Sequence, residues 1–338
     1  MKAAALVAPH RLALVDRPDP RVTAPDDVLL DVETVGVCGS DIHYYLEGRI
    51  GCQVVEYPYV IGHEFSGIVR EVGAAVTRAK RGDRVAVDPA VNCRACDQCR
   101  GGRIHTCRSM RFLGCPGQME GCLSERIVMP ERCCFPVPDG VGPAETALVE
   151  PLSIAVHATR LAGALAGKPV SIHGAGPIGL CVLLACRAAG AAEIRVLEPI
   201  AERRAAALRL GASSAAAPHP AGAAFEADFA FECAGQQAAL DEALGGLAPC
   251  GRLVVVGIPS CDRWEFDADA SRRREISIAN VRRQNECMEP AIRLASARAR
   301  ELASLATHRF PLSRAAEAFA LVAEKRGGVL KAVVEPGR

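Results

Sequence analysis

Gly174-Ala175-Gly176-Pro177-Ile178-Gly179 directly follows the short apolar run Val170–His173 and opens an apolar segment reaching about Ala189. Alone, G-x-G-x-x-G is a weak pattern. Between a strand and a helix it constrains the chain strongly, because its glycines serve a tight turn, a close backbone approach and close helix–strand packing. The texture then repeats: Glu193–Glu198, Ala227–Glu232 and Arg252–Gly257 read as strands, Ala201–Leu210 and Gln237–Gly246 as helices. Strand and crossover helix in alternation predict a parallel, doubly wound sheet. The Ala/Pro/Gly-rich stretch Ala212–Ala224 is short for a full strand–helix unit. Before residue 150 the chain is different, with β-like runs at Val28–Val37, Ser66–Val72, Arg84–Val87 and Ser124–Val128 and little helical periodicity. After about Arg282 mixed texture returns, ending in a strand over Gly328–Glu335. The expected fold is α/β: a β-rich domain of residues 1–151 and 282–338, interrupted by a Rossmann-type doubly wound domain of residues 152–281.

In that context the glycine turn is a dinucleotide fingerprint. Gly174 permits the turn, Gly176 lets backbone approach a pyrophosphate, and Gly179 permits close packing. The helix begun by Pro177 and Ile178 offers free N–H groups to the anion. Glu198 stands 19 residues after Gly179 at a strand end. A carboxylate there accepts ribose hydroxyls and repels a 2′-phosphate, which favours NAD over NADP.

Sixteen cysteines in a chain without a secretory signal point to metal rather than disulfides. Cys93, Cys96, Cys99 and Cys107 read C-x2-C-x2-C-x7-C within a polar stretch that has no means to fold by burial. Four thiolates so spaced suit a closed, tetrahedral structural zinc. An iron–sulfur cluster is the lesser alternative. A second set, Cys38 in Gly-Val-Cys-Gly-Ser-Asp-Ile-His and His63-Glu64 in Gly-His-Glu-Phe-Ser-Gly, mixes sulfur, nitrogen and oxygen donors 25 residues apart. Such a set holds zinc with a coordination position open to substrate. Cys52, Cys115, Cys122, Cys133, Cys134, Cys181, Cys186, Cys233, Cys250 and Cys261, with His10, His157, His173 and His219, read as packing residues, and Arg272–Arg274 as solvated surface.

Together, Gly-His-Glu with Gly67 and Gly73, followed by Gly82-Asp83-Arg84-Val85, resemble the zinc-containing medium-chain alcohol dehydrogenases over essentially the whole chain. Cys38-Gly-Ser-Asp-Ile-His-Tyr-Tyr, Gly48-Arg-Ile-Gly51, Glu150-Pro-Leu-Ser153 and Thr307-His-Arg-Phe-Pro-Leu312 are similar to the sorbitol, polyol and L-idonate-type branch. The resemblance implies a GroES-like catalytic domain and two zinc ions per chain. It implies Cys38, His63 and Glu64 as ligands, Glu150 as a second carboxylate that either ligates the metal or holds its bound water, and Asp41 as the residue orienting His63. Ser40 and His43 would relay a proton, Tyr44, Ile50 and Arg282 would meet substrate, and Arg203 would lie along the adenine, or with Arg204 serve a phosphate. The activity implied is oxidation of a polyol's secondary alcohol to a ketose, with a homodimer or homotetramer as the assembly. A sugar-acid or threonine-type dehydrogenase uses the same chemistry. A catalytically silent relative is the third reading, and loss of a ligand would favour it.

A net charge of +1, from 40 basic and 39 acidic residues, offers nothing to nucleic acid. No run of about 18 apolar residues appears, and Met1–Leu14 lacks the features of a signal peptide. The expectation is a cytoplasmic protein acting on a small molecule, with no membrane or nucleic-acid partner.

Overall fold

The structure, a computed structural model, describes residues 1–218 and 225–337. It divides into two compact units, one of Met1–Glu150 with Met288–Arg338, the other Pro151–Cys287.

The first unit is built on a seven-stranded sheet. Its path runs Cys134–Pro136, Arg84–Val87, Glu64–Val72, Asp27–Gly36, Lys331–Glu335 and Ala306–Pro311, and Arg126–Pro130 pairs with Asp27–Gly36 as well. Asp27–Gly36 is therefore the hub, and its burial pattern is almost continuous rather than alternating. That suits a strand covered on both faces. A three-stranded sheet of Arg11–Asp16, Lys2–Ala8 and Tyr59–Val60 packs into the same core, with Leu6, Leu30, Ile61, Phe65, Leu123 and Phe319 wholly or almost wholly buried. Helices are more frequent here than the sequence texture suggests. Gly39–Glu47 starts at Cys38 through a reciprocal cap in which the Asp41 side chain accepts the Cys38 N–H at 3.1 Å. Pro143–Ala147 begins with proline at its first turn. The strand expected at Ser124–Val128 lies at Arg126–Pro130, and the terminal strand is Lys331–Glu335.

A glycine-rich crossing holds the start of the Glu64–Val72 strand. A Cβ on Gly114 would come within 2.7 Å of the Gly62 carbonyl oxygen, and one on Gly121 would overlap the Ile61 carbonyl. Backbone thus lies directly on backbone next to His63, a contact only glycine allows.

The second unit is a six-stranded sheet, Ser214–Ala216, Glu193–Leu197, Pro169–His173, Ala227–Glu232, Leu247–Val255 and Ser277–Asn280, all parallel. In chain order this is 3-2-1-4-5-6, the doubly wound dinucleotide topology. Pro177–Ala188 is buried through most of its length from Gly179 to Cys186. Part of the Ala212–Ala224 stretch becomes the short edge strand Ser214–Ala216, while 219–224, and with them His219, lie outside the described residues. No helix among the described residues is long and apolar enough to cross a membrane. Cys52 and Cys250 are exposed rather than packed, and Cys250 sits on left-handed backbone with φ 64°. His10 is exposed too, whereas His157 and His173 are buried. Arg274 leaves the surface run of its neighbours and donates to the carbonyls of Leu244, Gly245 and Leu247 at the end of helix Gln237–Gly245.

Two glycine-to-alanine changes with opposite signs follow from this packing. Gly121→Ala forces backbone apart and is expected to cost more than about 2 kcal/mol. Gly245→Ala, in a helix with open space around its Cβ, is expected to gain up to about 1 kcal/mol. Urea unfolding of the two variants measures both, and equal effects would contradict the packing described.

Candidate metal centres and dinucleotide site

Cys38 caps helix Gly39–Glu47, His63 ends the loop after Tyr59–Val60, and Glu64 opens the strand Glu64–Val72. A sulfur, an imidazole nitrogen and a carboxylate oxygen from these three residues lie within 4.8 Å of one another. Asp41, wholly buried, places Oδ1 3.3 Å from His63 Nδ1. An imidazole that turns Nδ1 toward this carboxylate keeps Nε2 free as a ligand, the usual orientation of a metal-bound histidine beside a carboxylate. Burial opposes charge on His63, yet Asp41 and the Cys38 sulfur outweigh it and hold its pKa well above the ordinary imidazole value. The cluster therefore calls for positive charge, which a divalent cation meets. The donor set fits zinc with a position left open.

Behind this set lies a buried ion pair that the sequence reading did not anticipate. Strand register sets Val333 opposite Gly36 and Gly36 opposite Glu64. Lys331, two residues before Val333, points the same way and its Nζ is paired with Glu64 Oε2, both side chains being 2% exposed. Gly36 makes room for it, since a Cβ there would press into Glu64 Oε2 and come within 3.1 Å of Lys331 Cε. The one available sequence signal was a lysine inside the apolar run Val329–Val334, where a charge needs a partner.

Glu150, in the first turn of helix Val149–Ala162, is 4% exposed. Burial pushes its pKa up to about 8, His63 and Lys331 opposing and Glu64 and Asp88 adding to the rise. Asp88 is buried as well and was not foreseen. Ser40 and His43 are half-buried on helix Gly39–Glu47, with His43 Nδ1 3.6 Å from Glu47 Oε1. Tyr44 is 4% exposed and belongs to the hydrophobic core, its hydroxyl donating to Gln53 Oε1 at 3.1 Å. Ile50 packs partly against that core.

The four cysteines Cys93, Cys96, Cys99 and Cys107 also converge, with Sγ···Sγ separations of 3.4 Å for Cys93–Cys107 and 4.0 Å for Cys93–Cys99 and Cys96–Cys107. Four sulfurs about 2.3 Å from a tetrahedral zinc stand roughly 3.8 Å apart, and the observed spacings bracket that value. Backbone N–H groups of Ala95 and Cys96 both point at Cys93 Sγ at 3.4 Å. Hydrogen bonds from the backbone of Arg108 and Cys99 bring the Cys96 thiol down to about 6, whereas burial and the neighbouring sulfurs push the Cys99 thiol up to about 12. The lobe has little core of its own, and its other ties are polar, such as Arg108 on Asp97 at 2.5 Å.

In the second unit, Glu198 is 3% exposed and its carboxylate accepts the N–H of Ala175 at 2.7 Å and of Ile200 at 3.0 Å. It thus braces the turn Gly174–Gly179, and a carboxylate with about four acceptor positions retains capacity for ribose hydroxyls. Gly174 has φ 103°, and a Cβ on Gly179 would overlap the Gly174 carbonyl oxygen. Arg203 lies beside Gly176, 3.8 Å from where its Cβ would be, while Arg204 is tied to the carbonyls of Glu198 and Pro199. Arg282 is exposed, and Arg283, on left-handed backbone with φ 56°, is half-buried.

Residues 24–139 match the family model of the alcohol dehydrogenase GroES-like domain, and residues 177–297 that of the zinc-binding dehydrogenases. A sorbitol dehydrogenase of Bacillus subtilis is 34% identical, the match covering 100% of this chain and 98% of that one. Among solved structures, a zinc-binding dehydrogenase of Sinorhizobium meliloti bound to NADP superposes with a TM-score of 0.90 at 28% identity, over 99% of both chains. The L-idonate 5-dehydrogenase of Escherichia coli gives 0.89 at 25% identity, over 99% of this chain and 97% of that one.

Removing one member of the buried pair tests its role. Lys331→Met leaves Glu64 as an uncompensated buried charge and is expected to cost about 3–5 kcal/mol in urea unfolding with chelator present. Adding Glu64→Gln to it is expected to recover part of that loss. Additive losses in the double variant would show that the two side chains do not act as a pair.

Proposed function

As the chain belongs to the zinc-binding alcohol dehydrogenase family, we propose that it oxidises a secondary alcohol of a polyol to a ketose with NAD as hydride acceptor. The observation that carries this reading is the Cys38–His63–Glu64 constellation, with its orienting Asp41, in one chain with a 3-2-1-4-5-6 sheet and its glycine turn. The full-length likeness to a sorbitol dehydrogenase supports the substrate class.

When bound, zinc supplies Lewis acidity toward a substrate hydroxyl and the nicotinamide supplies the hydride acceptor. Cys38, His63 and Glu64 hold the metal. Asp41 fixes the tautomer and direction of His63, and Lys331 keeps part of the Glu64 charge engaged elsewhere. Glu150 is a buried carboxyl able to hold or release a proton near the metal position. Ser40 and His43, half-buried on one helix, pass the hydroxyl proton outward. Gly174, Gly176, Pro177, Ile178 and Gly179 form the pyrophosphate cradle, Glu198 takes the ribose hydroxyls, and Arg203 lies along the adenine. Cys93, Cys96, Cys99 and Cys107 hold a second, structural zinc. A cytoplasmic location and a homodimeric or homotetrameric assembly belong to the same reading.

One feature favours a second substrate class. Arg282 is followed by Arg283, and a guanidinium fork suits a carboxylate better than a hydroxyl; the L-idonate enzyme is among the structural neighbours. Oxidation assays across alditols, sugar acids and threonine separate the readings. Arg282→Ala is expected to cut kcat/KM for the true substrate roughly 10- to 200-fold. A loss confined to acidic substrates on Arg283→Ala would move the assignment to a sugar-acid dehydrogenase, and activity on threonine alone would overturn both. In the same assays NAD should exceed NADP in kcat/KM, and Glu198→Ser should narrow the gap. Equal use of both cofactors by the unaltered protein would refute the role given to Glu198.

Metal content supplies the other check. Protein made with ample zinc is expected to carry two ions per chain. Cys96→Ser should chiefly reduce stability, and His63→Ala should chiefly abolish turnover. Indistinguishable behaviour of the two variants would contradict a division into structural and chemical sites.

A further inference from the structure

Glu232 ends the strand Ala227–Glu232, directly beside His173, the residue before the glycine turn. Its strand is the fourth of the 3-2-1-4-5-6 order, so it stands at the point where that order reverses, the place where doubly wound sheets receive their ligands. The side chain is wholly buried. Oε1 accepts the N–H groups of Ala234 at 2.8 Å and Gly235 at 2.7 Å, and the main-chain carbonyl accepts those of Val256 at 2.8 Å and Gly257 at 3.0 Å. Oε2 has no hydrogen-bond partner among the described residues, and a Cβ on Gly257 would come within 2.7 Å of it.

Glycines make this packing possible. Gly235 has φ 69°, and a Cβ on it would overlap the Ile258 carbonyl oxygen. A Cβ on Gly174 would come within 3.0 Å of Ala234 N. Three turns, 174–179, 233–236 and 257–258, are therefore stacked at the carboxyl edge of the sheet; the Glu232 side chain holds the second, and its main-chain carbonyl ties the start of the third to the same residue. A buried carboxylate costs free energy to keep at such a place, and apolar residues would fill the volume more cheaply.

We propose that Glu232 is a positioning residue for the nicotinamide half of the dinucleotide, its side chain bracing the turn 233–236, which with the turn 257–258 packed on it floors that half of the crevice. The doubly wound sheet is built of two mononucleotide-binding halves. Glu198 and the glycine turn belong to the first half, which takes the adenosine, and this leaves the turns after the fourth and fifth strands for the second. The proposal rests on the dinucleotide reading above.

Fluorescence titration of the full-length protein with NADH, and competition of 5′-AMP against NADH, read the two halves separately. Glu232→Ala strands two buried N–H groups and is expected to weaken NADH about 10-fold or more, with AMP changed by less than about 2-fold. Glu232→Gln keeps an acceptor oxygen and is expected to stay within about 3-fold of the unaltered protein for both ligands. Where the alanine variant does not fold, Glu232→Asp withdraws the acceptor by one methylene and is expected to weaken NADH selectively, about 3-fold or more. Equal weakening of NADH and AMP, or unchanged NADH affinity in the alanine or aspartate variant, would overturn the proposal. Failure of the unaltered protein to bind NADH would instead overturn the dinucleotide reading beneath it.

Discussion

A lysine and a glutamate, sealed from water over a residue that has no side chain, tie the three central strands of the first unit together. The pair Lys331–Glu64 forms only where Val333 faces Gly36 and Gly36 faces Glu64. Buried ion pairs are modest stabilisers, because desolvation offsets much of the attraction. Their effect is on specificity. A slip of one residue would send Lys331 to the opposite face of the sheet and leave Glu64 alone in a dry core. The register so enforced also carries the candidate metal cluster, since Glu64 is both the lysine's partner and one of three side chains that could hold a metal with Cys38 and His63. Asp41 acts in a comparable way on the other side. It caps the helix that carries Cys38 and faces the ring of His63, so that one carboxylate sets two of the three donors.

The second unit repeats a single device on both sides of its central strand Pro169–His173. Glu198 follows the strand on one flank and accepts from Ala175. Glu232 ends the strand on the other and accepts from Ala234 and Gly235. Each spends a buried carboxylate on backbone N–H groups of a glycine-bearing turn. Turns that must stay open to a ligand cannot be held by side-chain packing from above, and bracing from beneath by an acceptor solves this. Hydrogen bonds from N–H to a charged acceptor are among the stronger ones available.

Much of this was legible in the chain. The change from β-like texture to strand-and-helix alternation, with the glycine turn at its start, announced the parallel sheet, because local periodicity and glycine spacing are properties of neighbouring residues. The cysteine spacings were legible for the same reason. What sequence did not reveal depends on register between distant segments. Nothing near Lys331 indicates Glu64, and nothing near Glu232 indicates Gly257. Tyr44 shows the same limit: its motif placed it near substrate, and its burial and the bond of its hydroxyl to Gln53 are visible only in the fold. Cys52 and Cys250 were read by composition as packing residues and lie exposed, because residue type alone does not report the turn in which it sits.

The long reach of the Lys331–Glu64 pair has a meaning in time as well as in space. The two partners are 267 residues apart in the chain, with the whole second unit between them. At synthesis rates of about 5–20 residues per second, the ribosome releases the lysine roughly 15–50 s after the glutamate. Throughout that interval the nascent first unit carries Glu64 without its counter-charge and the Asp27–Gly36 hub without one of its three neighbours. Its open hub edge is an invitation to wrong pairing. The last strand, Lys331–Glu335, therefore closes the hub edge and supplies the counter-charge of Glu64 in one event.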